Sequence, residues 1–156
     1  MMTEEFAENI ESNQAEIAEM PSLNHSYICT EILLHLARNK DYKPLVELTL
    51  DIEKGLTPDI SVFLKDKIRP NFFQDITKYP EMPTLAIEII SASQNIQDLL
   101  DKAKLLVRHG VKAVWTVEPF GNTIFITTKD GEKRYHNQEV ESENIKVDFR
   151  QIFATN

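Results

Sequence analysis

Two apolar segments of the sequence each hold one carboxylate, and this pair is the part of the chain best suited to chemistry. Asp59 follows Pro58 at the start of "TPDISVFL", and Glu88 lies inside "LAIEII" with apolar neighbours on both sides. A charge within an apolar strand needs a partner, because removing it from water is costly. Spacing alone favours a turn or strand-end role for Asp59 and leaves the role of Glu88 open.

If the two strands pair, both carboxylates reach one edge of a sheet, where their oxygens suit Mg²⁺ or Mn²⁺. Such an ion orients a phosphate, stabilises its developing charge and lowers the pKa of an attacking water. A lysine close by would hold that water or an oxyanion. Lys102 and Lys104 are the candidates, on opposite sides of one helical stripe. The helical period does not choose between them, and either is equally explained as a surface lysine.

Other catalytic arrangements have less support. Cys29, the only cysteine, falls on the apolar side of a predicted helix, which favours a buried, unreactive thiol over a nucleophile. The histidines are scattered along the chain, at His25, His35, His109 and His136. With a single cysteine they do not make a structural zinc site. The four glycines are not clustered, which excludes a glycine-rich phosphate loop.

Composition indicates a globular protein. The chain has 156 residues, of which 42% are hydrophobic, and no run of apolar residues is long enough to span a membrane. The net charge is −8, but six carboxylates in the first twenty residues account for most of it. We expect residues 1–14 to be an acidic, flexible segment and residues 15–156 to form a single domain. The lone cysteine and the lack of signal-peptide features predict a cytoplasmic location.

The hydrophobic periods predict alternating helices and strands. We expect a short strand over residues 15–20, a helix over 24–39 capped by Asn24, and strands over 44–52, 57–64 and 84–90. The loop at 65–83 between the last two strands would be anchored by Phe72, Phe73 and Tyr79.

The second half of the chain predicts a crossover. An amphipathic helix over residues 95–109 ends before Gly110 and is followed at once by a strand over 111–119, which predicts a parallel βαβ unit. A hairpin over 122–137 turns at Asp130-Gly131. The expected fold is therefore α/β, a mixed β-sheet flanked by helices.

Taken in order, four segments resemble the Uma2 family, also called DUF820, of proposed restriction endonucleases within the PD-(D/E)xK superfamily. They are "MPSLNH", "PDISVF", "LAIEIIS" and "DLLDKAKLLVRHGVKAVWTVEP". The resemblance implies a restriction-endonuclease-like fold and a metal-dependent endonuclease that hydrolyses phosphodiester bonds in DNA, with Mg²⁺ or Mn²⁺ as cofactor. It also implies the formation of a homodimer, and the lack of a long apolar run predicts no membrane partner.

The same resemblance implies roles for individual residues. Asp59 and Glu88 would be catalytic metal ligands, and Ile89 would add a backbone carbonyl. The superfamily's strand lysine is absent, because that position is Ile90. The family instead places a lysine on the following helix, which selects Lys102 over Lys104. Asp98, one turn earlier, would orient Lys102 through an i,i+4 pair.

The resemblance leaves two further positions open. His25 would either face the site or belong to the core, and the core is favoured. A further acid often comes from the N-terminal region in this superfamily. Glu31 is the helix candidate, although it points away from the apolar face, and Glu8, Glu11 and Glu16 are unranked alternatives.

Departures from the family pattern suggest an alternative. Ala92 stands where the family has proline, and Leu106 stands where it has tyrosine. Together with the acidic N-terminus, these changes would also suit a catalytically degenerate nuclease-fold protein that binds a partner or self-associates. Metal binding separates the two hypotheses.

Overall fold

The structure, a computed structural model, describes residues 22–155. The strand expected at 15–20 and the acidic residues before it lie outside that range. The helices and strands are α1 (Leu23–Leu36), β1 (Tyr42–Val46), β2 (Ile60–Leu64), β3 (Leu85–Ile89), α2 (Ile96–Arg108), β4 (Ala113–Glu118), β5 (Thr123–Thr128), β6 (Gly131–His136), β7 (Glu139–Ser142), β8 (Ile145–Asp148) and α3 (Phe149–Phe153), with a 3₁₀ turn at Lys65–Lys67.

Strands β1 to β6 form one six-stranded sheet in sequence order, and β7 pairs with β8 in a separate two-stranded sheet. Strands β3 and β4 are parallel, and the other neighbours in the large sheet are antiparallel. Every residue of β3 is buried, as expected for its nearly continuous apolar sequence. The predicted fold class, an α/β mixed sheet flanked by helices, is confirmed.

The two faces of the sheet support separate cores. On one face, α1, α3 and the β7–β8 pair pack against the sheet, and on the other face α2 does so. Alternate residues of β3 face opposite sides, so Leu85, Ile87 and Ile89 join the α1 core while Ala86 joins the α2 core. Glu88 shares the alternation of Ala86 and therefore faces α2.

The first helix and first strand differ from their predicted bounds. Helix α1 is capped by Ser22, whose side chain accepts a hydrogen bond from the backbone N–H of His25, and not by Asn24. Strand β1 ends at Val46, well before the predicted end at residue 52. Glu47 has a left-handed φ of 50°, which breaks the strand. The alternation of apolar and polar residues continues past Val46, so the sequence pattern does not mark the end of the strand.

The predicted crossover is confirmed. The Asn95 side chain caps α2 by accepting from the backbone N–H of Gln97. Gly110 follows the helix at a φ of 111°, a left-handed conformation that favours glycine. Strands β3 and β4 on either side of α2 are parallel, as predicted. Within residues 22–155, no helix combines the length and the apolar character needed to cross a membrane.

The loop between β2 and β3 is only partly anchored. Tyr79 packs edge-on against Phe63, with ring centroids 5.4 Å apart, as expected of an anchor. Phe72 and Phe73, predicted to be anchors too, are 94% and 102% exposed, so that prediction is wrong. Aromatic character predicts burial, but the loop holds both side chains in solvent.

Two positions on α1 test how much of the stability comes from the α1 core. Ile32 is fully buried, whereas Leu34 is 57% exposed on the same helix. We expect Ile32→Ala to lower the free energy of unfolding by about 2–5 kcal/mol, because it leaves a cavity. Leu34→Ala should change it by about 0.5 kcal/mol or less. Urea unfolding followed by circular dichroism measures both, and equal effects would contradict the proposed packing.

Candidate active site

Asp59 and Glu88 meet at one edge of the large sheet. Because β2 and β3 are antiparallel, with Ile60 opposite Ile87, the start of β2 lies beside the end of β3. Asp59 immediately precedes β2, and its Oδ2 accepts a hydrogen bond of 2.8 Å from the backbone N–H of Ile89. The carboxylate of Asp59 is thus fixed to the residue that follows Glu88.

His25 holds the same oxygen of Asp59 from the other side. It belongs to the buried stripe of α1, and its Nε2 lies 3.0 Å from Asp59 Oδ2. The sequence favoured the core for His25, and the structure places it both in the buried stripe and against Asp59. The hydrogen bond to Asp59 raises the pKa of His25, against the opposing effect of burial, and the charges of Asp59, Glu88 and Glu47 add to the rise.

Lys102 reaches Glu88 from α2. Its Nζ forms an ion pair of 2.7 Å with Glu88 Oε1, and it donates a hydrogen bond of 3.2 Å to the backbone carbonyl of Thr57. Glu88 is 4% exposed, so the lysine is the partner that a buried carboxylate requires. Thr57 lies two residues before Asp59, and Lys102 therefore links β3 to the segment that precedes β2.

The two neighbouring candidates on α2 do not take part in this pair. Lys104 points elsewhere, and its Nζ lies 3.9 Å from Glu132 in an exposed contact. Asp98 is exposed, and among residues 22–155 no ion pair joins it to Lys102. In the structure Lys102 turns towards the sheet to reach Glu88, so the predicted role of Asp98 in orienting Lys102 stays a prediction.

The environment of Glu88 works against its negative charge. Burial, with a smaller contribution from the charge of Asp59, raises the pKa of Glu88 from 4.5 to about 7, although Lys102 lowers it. Two carboxylates that lie close together favour the approach of a further cation, because a cation offsets their mutual repulsion. Such perturbed groups are concentrated at functional sites.

Glu47 is a charged neighbour that the sequence did not single out. Its backbone N–H donates a hydrogen bond of 3.1 Å to the carbonyl of Asp59, across the β1–β2 pair. Its charge raises the pKa of both His25 and Cys29. In the sequence, Glu47 lies in "PLVELTLDI". The regular alternation of this segment predicts one continuous strand and gives no reason to single out Glu47.

The other predicted acids contribute less or cannot be placed. Glu31 is half-buried on α1, and its backbone carbonyl lies 2.8 Å from His35 Nδ1. Glu8, Glu11 and Glu16 lie outside the described residues. The structure therefore does not assign an N-terminal acid to the site.

The donor set fits a hard divalent cation but not a closed cage. Within residues 22–155, no group of three or more His, Cys, Asp or Glu side chains is arranged to hold a metal. Mg²⁺ is commonly bound by one or two carboxylates together with substrate phosphates and several waters, and Asp59 and Glu88 match that number of carboxylates. The place of both carboxylates at one edge of the sheet is the observation in favour. The backbone N–H of Ile89 already holds Asp59, and a metal contact from its carbonyl stays a prediction.

Cys29 is not a nucleophile in this arrangement. Burial, with smaller contributions from Asp59, Glu47 and Glu88, raises the pKa of its thiol to about 12. The thiol therefore stays protonated at neutral pH and has little nucleophilic character.

The raised pKa of Glu88 predicts a pH dependence of stability. Between about pH 4.5 and pH 7, the folded state holds the Glu88 proton more tightly than the unfolded state does. The stability of the native protein relative to Glu88→Gln should therefore fall as pH rises through this window, and level off above it.

Urea unfolding at a series of pH values measures this difference. Glu141→Gln, which removes an exposed carboxylate, is the matched control and should run parallel to the native protein. A difference between the native protein and Glu88→Gln that does not vary with pH would contradict the raised pKa.

Comparison with known proteins identifies the fold and the family of the chain. A solved structure described as a "putative nuclease belonging to DUF820 from Anabaena variabilis" matches with a TM-score of 0.74 and 20% identity, covering 86% of this chain and 82% of that one. At that identity the likeness establishes the fold alone. No curated protein matches. The model of the Uma2 family, described as "Putative restriction endonuclease", matches residues 4–154, and the chain therefore belongs to the Uma2 family.

Proposed function

We propose that the protein is a metal-dependent endonuclease that hydrolyses phosphodiester bonds in DNA. The observation that carries this proposal is the ion pair of 2.7 Å between Lys102 and the buried Glu88, at the sheet edge that also holds Asp59. Two carboxylates and an ammonium group on rigid elements match the needs of phosphoryl chemistry. Membership of a family described as restriction endonucleases points to the same reaction.

Asp59 and Glu88 would hold a divalent cation, Mg²⁺ or Mn²⁺. When bound, such an ion supplies Lewis-acid stabilisation of the phosphate's charge. His25 and the N–H of Ile89 keep Asp59 in place, because both bond the same oxygen. This fixed position reduces the reorganisation needed when a cation and substrate bind.

Lys102 would act directly on the reacting groups. Its ammonium is anchored by Glu88 and the Thr57 carbonyl, and it is the more exposed partner of the ion pair, at 23% for its side chain against 5% for Glu88. An ammonium has three donors, so one remains for a water or for a phosphate oxygen. It would thereby orient the attacking water and stabilise negative charge that develops on the phosphate.

A specific observation favours a second candidate function, a binding or self-association module on the same scaffold. Two consecutive phenylalanines, Phe72 and Phe73, are almost completely exposed, which is unusual for large apolar side chains. This candidate does not require catalysis. It is compatible with an active nuclease, and metal binding and cleavage decide whether the site is degenerate.

Cleavage of supercoiled plasmid DNA tests the catalytic assignment. With Mg²⁺ or Mn²⁺, we expect nicking by the native protein and a rate about 10²–10³-fold lower for Lys102→Ala, as seen when a transition-state donor is removed. Lys104→Ala is the matched control, since Lys104 lies on the same helix and, among the described residues, forms its ion pair with Glu132 and not with Glu88. Activity that survives Lys102→Ala, Asp59→Ala and Glu88→Ala would overturn the assignment.

Calorimetric titration with MgCl₂ or MnCl₂ tests the metal site without relying on activity. We expect binding by the native protein and by Lys104→Ala. Asp59→Asn and Glu88→Gln remove proposed ligands, so their binding should weaken by more than the roughly 10–100-fold that loss of a group supporting a ligand costs. Circular dichroism confirms that each variant is folded. Absence of binding by the native protein would favour the degenerate module over the nuclease.

A further inference from the structure

The loop between β2 and β3 exposes an apolar surface with no role in the site above. Phe72 is 94% exposed, Phe73 is 102% exposed, and Ile76 beside them is 55% exposed. Single exposed apolar residues are ordinary, but a contiguous group marks an interaction surface. We refer to these three residues and the adjoining cavity described next as the Phe72 face.

A cavity of about 360 Å³ adjoins these residues. Its apolar lining includes Leu45 from β1, Leu48, Ile68 and Tyr79. Phe72 lies at its rim, whereas Phe73 is not part of the lining and projects freely. A projecting ring beside an apolar cavity is a self-complementary arrangement, which is what a two-fold symmetric interface requires.

The charges of the loop are segregated in a way that favours the same symmetry. Its first part, before the phenylalanines, holds Lys65, Lys67 and Arg69 with a single acid, Asp66. Its later part holds Asp75 and Glu81 with one lysine. Arg69 and Asp75 both line the cavity. A two-fold axis near the phenylalanines would bring Arg69 of each copy close to Asp75 of the other, so that opposite charges face each other.

The position of the Phe72 face in the fold leaves it open to a partner. Leu45 belongs to β1, which is an edge strand of the large sheet. Pro44 within β1 lacks an N–H, so direct strand addition at this edge is disfavoured and side chains must make the contact.

We propose that the Phe72 face binds the same face of a second copy of this chain, with Phe73 of each copy inserted into the cavity of the other. A buried aromatic ring removes about 150–250 Å² from solvent, so four rings supply a large share of the ~1,200–2,000 Å² of a stable interface. The inference is independent of the proposed nuclease, because no residue of the Phe72 face belongs to the site.

A nucleic acid is a poorer occupant of this face. Phosphate contacts require a clear excess of Lys and Arg, whereas the charged residues of the cavity lining are one base, Arg69, and one acid, Asp75. Its apolar lining also suits a side chain better than a charged backbone. DNA is accordingly one of the outcomes that would overturn the proposal.

Analytical ultracentrifugation of the full chain tests the proposal directly. We expect a dimer at micromolar concentration, and a dimer dissociation constant about 30-fold higher or more for Phe73→Asp, as for the loss of an interface hot spot. Phe120→Asp is the matched control, because Phe120 is also an exposed phenylalanine, at 77%, but lies near Ser22 and Pro119. Since Phe73 is fully exposed, both variants should keep the native circular dichroism spectrum.

A charge-swap experiment tests the predicted symmetry. Arg69→Glu and Asp75→Lys should each weaken self-association, because each places like charges across the axis. Mixed in equal amounts, the two variants should form a heterodimer more tightly than either forms a homodimer, since both contacts then pair opposite charges. Native mass spectrometry measures the three species.

Several results would overturn the proposal. One is a native protein that stays monomeric at a concentration 100-fold above the micromolar range. Another is an equal effect of Phe120→Asp and Phe73→Asp on the dimer dissociation constant. The third is that the two charge variants form no more heterodimer than homodimer. Loss of binding to a fluorescent DNA duplex in Phe73→Asp, with an unchanged sedimentation coefficient, would instead identify nucleic acid as the occupant.

Discussion

The buried carboxylate of Glu88 is the constraint on which the site depends. A charge that is 4% exposed, in a strand buried along its whole length, must be compensated, and Lys102 is the compensating group within the described residues. The two groups come from different elements, so their pairing fixes how α2 lies on the sheet. An apolar residue at position 88 would serve packing equally well. The presence of an ion pair at this buried position is therefore weak evidence of a stabilising role.

The topology brings the remaining groups to the same edge. The βαβ crossover places α2 over β3, which lets Lys102 reach Glu88, and the antiparallel β2 delivers Asp59 beside the end of β3. Helix α1, on the opposite face, contributes His25 to the other side of Asp59. Side chains from both faces of the sheet therefore reach this edge. Lys102 is the partner of Glu88, and His25 and the backbone N–H of Ile89 are the partners of Asp59.

The sequence predicted the elements that rest on strong periodicity. The amphipathic stripe of α2, its end before Gly110 and the parallel pairing of β3 with β4 all followed from local pattern. Pattern alone could not choose between Lys102 and Lys104, because both flank the stripe. The choice followed from a family resemblance, and in the structure Lys102 lies at Glu88. The contact of His25 with Asp59 depends on the tertiary packing of α1, which local spacing does not encode.

Two failures share a physical cause. Alternation through Glu47 predicted a longer β1, and aromatic character predicted that Phe72 and Phe73 are buried. The end of β1 and the exposure of the two rings both depend on tertiary structure, which local pattern does not encode. These exceptions lie close together in the fold. Leu45 and Leu48 line the apolar cavity on either side of Glu47, whose N–H bonds the Asp59 carbonyl. The same short backbone segment therefore borders both the cavity and Asp59, the candidate metal ligand before β2.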